Sequence, residues 1–166
     1  MAEPFAKTAE RLDAATTHRP LPYNPRMSDT VTTELIRRIL DAHPHAQAVY
    51  LYGSWGTPEQ WPTSDIDIAV LLPPVEAKTV DMMEWLGLSV ELAHIAGVEK
   101  ADLINLRKVS ALLRKEVIAA DRRIFCADQY AADEFEMLSI SFYQKMNEER
   151  RGIVEEIRKT GRAYDV

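Results

Sequence analysis

Two apolar stretches separated by a short loop constrain the fold of this chain more than any other feature. Residues 48–52 are apolar and end at Gly53-Ser54, and residues 66–72 are apolar and end at Pro73-Pro74. Short apolar stretches bounded by glycine and proline are typical of buried β-strands. We therefore predict two buried strands joined by the intervening loop.

Two carboxylates stand at the start of the second strand. Asp65 and Asp67 flank Ile66, so the alternation of side chains along a strand points both carboxylates to one face. Like charges near an apolar core are costly unless a positive charge lies between them. Because carboxylate oxygens are ligands that Mg²⁺ prefers, the pattern predicts a divalent-metal site.

The loop between the strands has the residues expected of a phosphate site. A glycine directly after a strand lets the backbone approach a ligand closely, and a serine offers a hydroxyl and an N–H to a phosphate. Gly53 and Ser54 are therefore candidate nucleotide-binding residues, and Ser64, next to the carboxylate pair, is a third.

A third carboxylate, Asp102, is predicted to join the pair. Residues 79–96 predict a helix and residues 101–106 a third strand, with Asp102 at its start, thirty-five residues after Asp67. A strand–helix–strand crossover of this length places two strands side by side. Glu99 is a weaker candidate for the third acid because it precedes the strand in a turn.

The helix predicted at residues 79–96 begins with Thr79 as its cap and carries a wide apolar stripe. Because the stripe is wide, we expect it to pack against the sheet. It comprises Val80, Met83, Leu86, Val90 and Ala93, widened by Leu88, Leu92 and Ile95.

The remaining patterns divide the chain into three parts. Residues 1–28, rich in proline towards their end, predict an arm outside the core. Residues 29–127 predict the core domain. Besides the three strands and the helix already described, this domain is predicted to contain helices from residue 29 to before Pro44 and at 111–120, and a short edge strand at 123–126. Residues 128–166 predict a helical extension with an apolar stripe in its first half and a largely charged second half.

Composition excludes several classes of protein. The 166 residues carry a formal net charge of -6, which argues against general nucleic-acid binding because that needs a basic surface. We find no apolar stretch resembling a signal peptide or long enough to span a membrane, so the expected location is the cytoplasm.

The order of these motifs resembles the DNA polymerase β-like nucleotidyltransferase superfamily. The carrying residues are Gly53-Ser54, ten further residues, and then Asp65-Ile66-Asp67 in the sequence SDIDIAVLL. The resemblance is closest to the minimal, MNT-type branch and covers residues 29–127. It implies an α/β (α+β) fold in which a small mixed sheet of about four strands is flanked by helices, followed here by a long C-terminal helix.

The resemblance also implies a chemistry and a role for each acid. A nucleotidyltransferase of this type transfers AMP from ATP with two Mg²⁺ ions, and Asp65 and Asp67 would join the metals to the nucleotide phosphates. Asp102 would bind the metal that activates the attacking hydroxyl and serve as general base. Gly53, Ser54 and Ser64 would hold the phosphates.

The acceptor of the AMP group has three possible identities. Small MNT proteins resembling this one pair with HEPN-domain ribonuclease toxins, which implies an antitoxin that adenylylates a tyrosine of its partner (AMPylation). A small-molecule nucleotidyltransferase of the aminoglycoside-modifying kind is the first alternative. A non-catalytic antitoxin that acts only by binding its partner is the second.

The loop differs from the family pattern at one point. Many relatives have an arginine shortly after the Gly-Ser pair, whereas this chain has Gly56-Thr57-Pro58, so the side chain that grips the triphosphate is not identified. The same loop contains Trp55 and Trp61, either of which could stack on a nucleotide base or anchor the loop to the domain.

Overall fold

A mixed four-stranded sheet forms the centre of the computed structural model, which describes residues 29–61 and 63–160. The strands are β1 (Ala48–Tyr52), β2 (Ile66–Leu71), β3 (Ala101–Asn105) and β4 (Arg123–Cys126). The helices are α1 (Asp29–Ala42), α2 (Pro74–Thr79), α3 (Met82–Ala96), α4 (Ala111–Ala119) and α5 (Gln129–Thr160). The predicted arm at residues 1–28 lies outside the described residues.

The strand order β3-β2-β1-β4 follows from the connections between the strands. The loop from β1 to β2 produces an antiparallel pair, and the crossover through α2 and α3 returns the chain as β3, parallel to β2. β4 pairs antiparallel with β1 and forms the edge of the sheet, as predicted. The α+β class and the small mixed sheet predicted from the sequence are confirmed.

Each face of the sheet is covered by its own helices. On one face, β-strand side chains such as Ile68 and Val70 pack in a cluster with Leu35 of α1 and Leu92 of α3. On the other face, the cluster contains Tyr50, Ala69 and Leu71 together with residues of α4 and α5. The Asp67 carboxylate of β2 alternates with Ile68 and Val70, so it lies on the α4–α5 face.

The buried stripe of α3 differs from the sequence prediction. Met83, Leu86 and Val90 are exposed, and the buried side chains are Trp85, Leu88, Leu92 and Ala93. The helix begins at Met82, two residues after the first member of the predicted stripe. The Asp81 carboxylate accepts hydrogen bonds from the Met83 and Glu84 N–H groups, so Thr79 is not its cap. The Trp85 indole N–H also donates to the Leu103 carbonyl at 2.7 Å, which fixes this side of the helix on the sheet.

The C-terminal segment is one continuous helix from Gln129 to Thr160. Ala132, Phe135 and Ser139 are buried at its start, and the Tyr50 hydroxyl donates to Glu136 at 2.8 Å. Four large apolar side chains on this first part are exposed: Tyr130, Met137, Leu138 and Phe142. The predicted apolar stripe therefore covers the domain only in part. In the described residues, no helix has the length and apolar character needed to cross a membrane.

Candidate active site

The strand register brings two of the predicted acids together. Asp67 of β2 pairs with Asp102 of the parallel strand β3, and Tyr52 of β1 pairs with Asp67 from the other side. α4 and α5 cover this face nearer Ala48 and Leu71. Asp67 and Asp102 lie towards the other end of this face, where Asp102 is exposed and Asp67 is partly exposed, and Tyr52 packs between them and the helix cluster.

The electrostatics of Asp67 show that the three acids influence one another. Burial raises the pKa of the Asp67 carboxyl, and the charges of Asp102 and Asp65 raise it further. Lys100 and Arg122 oppose this shift with their positive charges. The site therefore holds more negative charge than its own cations balance.

Gly53 is held against the Asp67 carboxylate. Its φ of +66° lies in the left-handed region, and a Cβ added at this position would be 2.0 Å from Asp67 Oδ2. Only glycine permits this approach, because any side chain would displace either the carboxylate or the backbone. The candidate phosphate loop and the candidate metal ligands thus form one continuous surface.

The two serines at opposite ends of the loop meet beside this surface. Ser54 Oγ and Ser64 Oγ are 3.1 Å apart, and the Trp61 N–H donates to Ser64 Oγ at 2.9 Å. Trp55 is 2% exposed and packs in the core, so it anchors the loop and cannot stack on a base. Trp61 is 74% exposed and stays a candidate for base contact.

Arg122 is a residue of the site that the sequence reasoning missed. It precedes β4 and donates to the carbonyl oxygens of Gly53 at 3.3 Å and Trp55 at 2.6 Å. Burial lowers the pKa of its guanidinium, and the negative charge of Asp67 opposes that effect. Arg122 therefore supplies a cation next to the phosphate loop, which lacks the arginine of the family pattern. The basic pair Arg122-Arg123 was the available signal, but nothing in the sequence related it to the loop.

Comparison with known proteins agrees with this geometry. The family model "Polymerase beta, Nucleotidyltransferase" matches residues 34–130, which includes every predicted acid and both serines. The chain belongs to this family.

Individual relatives of this nucleotidyltransferase show which members of the family it resembles. It is 33% identical to the protein adenylyltransferase MntA of Shewanella oneidensis over 125 residues, which are 75% of this chain and 85% of the relative. A crystal structure of a toxin–antitoxin with AMP-PNP matches with a TM-score of 0.66 and 30% identity, covering 76% of this chain and 98% of that one. A structure of a tri-AMPylated HEPN toxin from the same organism, in complex with its MNT antitoxin, matches with a TM-score of 0.64 and 29% identity over 80% and 99%.

The donors of the nucleotidyltransferase site fit Mg²⁺ in type. Carboxylate oxygens of Asp67 and Asp102 occupy neighbouring positions, and Asp65 adds its charge. The Tyr52 hydroxyl lies beside these acids: burial raises its pKa, and the charges of Asp102 and Asp67 and a hydrogen bond to the Asp102 carboxylate raise it further. Residues 29–61 and 63–160 contain no group of three His, Cys, Asp or Glu side chains arranged so that they could hold a metal ion by themselves.

Proposed function

We propose that this protein transfers AMP from ATP to a tyrosine hydroxyl of a HEPN ribonuclease toxin and thereby acts as its antitoxin. The observation that carries the proposal is the contact between Gly53 and the Asp67 carboxylate. This contact joins a phosphate loop to an acidic cluster in a chain that resembles the adenylyltransferase MntA.

Each site residue has a role in the proposed reaction. Gly53, Ser54 and Ser64 bind the β- and γ-phosphates, and Lys100 and Arg122 offset their charge. Asp65, Asp67 and Asp102 would hold Mg²⁺, which would neutralise the triphosphate and favour in-line attack when bound. The tyrosine oxygen forms a bond to the α-phosphorus, the bond from that phosphorus to pyrophosphate breaks, and the phenolic proton passes to the Asp102 carboxylate.

The proposed partner also accounts for the exposed apolar residues of α5. Tyr130, Met137, Leu138 and Phe142 are each more than half exposed, which is typical of protein interfaces rather than of an isolated domain surface. We propose that residues 128–166 form a partner-binding extension of the domain at 29–127. The apolar residues of its first half would supply contact area, and the charged second half would add polar contacts.

The decisive experiment measures the intact mass of the toxin after incubation with this protein, ATP and Mg²⁺. We expect the mass to increase by one or more AMP groups with the wild type and not with Asp65→Asn. If the toxin mass stays constant while both proteins suppress the ribonuclease equally, the binding-only antitoxin is correct. If a hydroxylated small molecule gains AMP and the toxin does not, the aminoglycoside-type alternative is correct.

Arg122→Lys should raise the KM for ATP by roughly tenfold or more, because each hydrogen bond from a charged donor contributes about 1.5–3 kcal/mol. Lysine keeps the positive charge but cannot reach both loop carbonyls with one planar group. Steady-state adenylyl transfer at varied ATP concentration measures the effect.

The neighbouring residue provides the control for that prediction. Arg123 pairs with Asp133 and Glu136 of α5 and does not contact the loop carbonyls. Arg123→Lys should therefore leave the KM for ATP within about twofold of the wild type, since its contacts lie outside the loop. Equal KM values for the two variants would show that Arg122 does not position the loop.

A further inference from the structure

A basic pocket lies at the opposite end of the sheet from the carboxylates. It has a volume of about 270 Å³ and is lined by four cationic side chains, Lys78, Arg107, Lys108 and Arg114, and by Phe135. Arg107 lies just beyond β3, beside the end of β2, whereas Asp67 is near the start of β2. The rise of an extended strand separates these two ends by about 15 Å, so the pocket is distinct from the candidate active site.

The two arginines of the pocket are held in place by neutral groups. Arg107 Nε donates to the Leu72 carbonyl at 2.6 Å and its Nη2 donates to Gln47 Oε1 at 2.9 Å. Arg114 Nη2 donates to the Arg107 carbonyl at 2.7 Å. Both guanidinium groups lie over the Phe135 ring, at 5.1 Å and 5.6 Å from its centroid. The positive charges are therefore fixed before any ligand arrives.

These four cations form no ion pair with a carboxylate of the described residues. Glu134 is the acid whose charge reaches Arg107, and it is exposed and not part of the pocket lining. The buried Nε of Arg114 has no hydrogen-bond partner among the described residues. Burial and the charge of Arg114 lower the pKa of Arg107, which shows that the cations repel one another. Positive charge that is not paired with a carboxylate is thus concentrated in this pocket, although the chain as a whole has a net charge of -6.

We propose that this pocket is a second ligand site, which binds an anion with two or more linked phosphate groups. Fixed guanidinium groups suit the planar, multiple hydrogen bonding of phosphate oxygens, and lysines suit its charge. The volume is slightly below the usual range of small-molecule sites, which suits a compact anion. The guanidinium groups already cover the Phe135 ring, so no aromatic face is left for a base, and recognition rests on the phosphates alone. Inorganic pyrophosphate and the phosphate chain of a nucleotide are the two sources of this chemistry.

Calorimetric titration of the full chain with inorganic pyrophosphate, in buffer free of divalent metal, tests the proposal. We expect saturable binding that weakens at least tenfold in the double variant Lys78→Ala/Lys108→Ala. These lysines are exposed and make no contact that the fold requires, whereas the arginines pack on Phe135. The matched control Lys115→Ala/Lys145→Ala removes the same charge from helix positions outside the pocket lining, where Lys115 is partly exposed and Lys145 is exposed, and it should bind as the wild type does.

Three results separate the outcomes. Competition of ATP with pyrophosphate in the same metal-free buffer would assign the site to nucleotide phosphates, and its absence would assign it to inorganic pyrophosphate. Either result requires the pocket variant to lose binding while the control retains it. Absence of saturable binding at millimolar pyrophosphate, or equal weakening in both double variants, would overturn the proposal. The toxin mass experiment is independent of this titration, so failure of one does not affect the other.

Discussion

Gly53→Ala should reduce adenylyl transfer by about a hundredfold or more, because a displacement of roughly 1 Å in a reacting assembly can have an effect of that size. The added methyl group would stand 2.0 Å from Asp67 Oδ2, so either the carboxylate or the phosphate loop must move. Both are proposed to contact the nucleotide complex, and both would lose their alignment. Initial rates of AMP transfer to the toxin measure the effect, with circular dichroism to establish that the variant is folded.

Gly97 provides a matched control for this substitution. It ends α3 with the same φ of +66°, but an added Cβ there would meet no atom within 4 Å. Gly97→Ala should therefore cost about 1 kcal/mol of stability through backbone strain and leave the transfer rate nearly unchanged. If both alanine variants lost activity equally, the effect would come from the left-handed backbone and not from the contact with Asp67.

Asp67→Asn should abolish transfer, with a loss of roughly a thousandfold or more from a disrupted metal and phosphate assembly, and yet stabilise the metal-free protein. Burial and the charges of Asp102 and Asp65 raise the pKa of Asp67 in the folded state. A carboxyl with a raised pKa favours folding while it is protonated, and that contribution disappears as the pH rises through the folded-state pKa. At neutral pH the wild type therefore carries a destabilising charge that asparagine removes.

Thermal unfolding of the two proteins in metal-free buffer checks the sign of this effect. The Tm of Asp67→Asn should exceed that of the wild type at pH 7, and the difference should shrink below about pH 4, where an ordinary carboxyl is protonated in both states. Added Mg²⁺ should raise the Tm of the wild type alone. Glu99→Gln is the control, since it removes a nearby exposed charge and should alter neither activity nor the metal response. A lower Tm for Asp67→Asn at pH 7 would contradict the electrostatic account.

The positions of Asp67 and Gly53 were predictable because their signals are local. A strand alternates with a period of two, so Asp67 lies on the face opposite Ile66 and Ile68 in any sheet that buries those two residues. Asp102 required only the length of the crossover between parallel strands. These inferences depend on backbone geometry that neighbouring residues determine by themselves.

Arg122 and the buried face of α3 were not predictable because distant residues decide them. Arg122 donates hydrogen bonds to backbone carbonyls of a loop 67 or more positions earlier. Every residue has a backbone carbonyl, so the sequence does not show which of them accept these bonds. In α3, apolar side chains surround much of the helix, so periodicity allowed two orientations. The hydrogen bond from Trp85 to the Leu103 carbonyl and the contacts of Leu88 and Leu92 select one of them.

The length of α5 increases the hydrodynamic drag of this protein. Its 32 residues make a rod of about 48 Å, whereas a compact chain of 166 residues has a radius of gyration of about 15 Å. Only the first part of the rod packs on the domain, through residues such as Ala132 and Phe135. The monomer therefore has more hydrodynamic drag than a sphere of its 18.9 kDa mass, and gel filtration will overstate its mass. Light scattering, which reads mass without regard to shape, distinguishes this elongated monomer from a dimer.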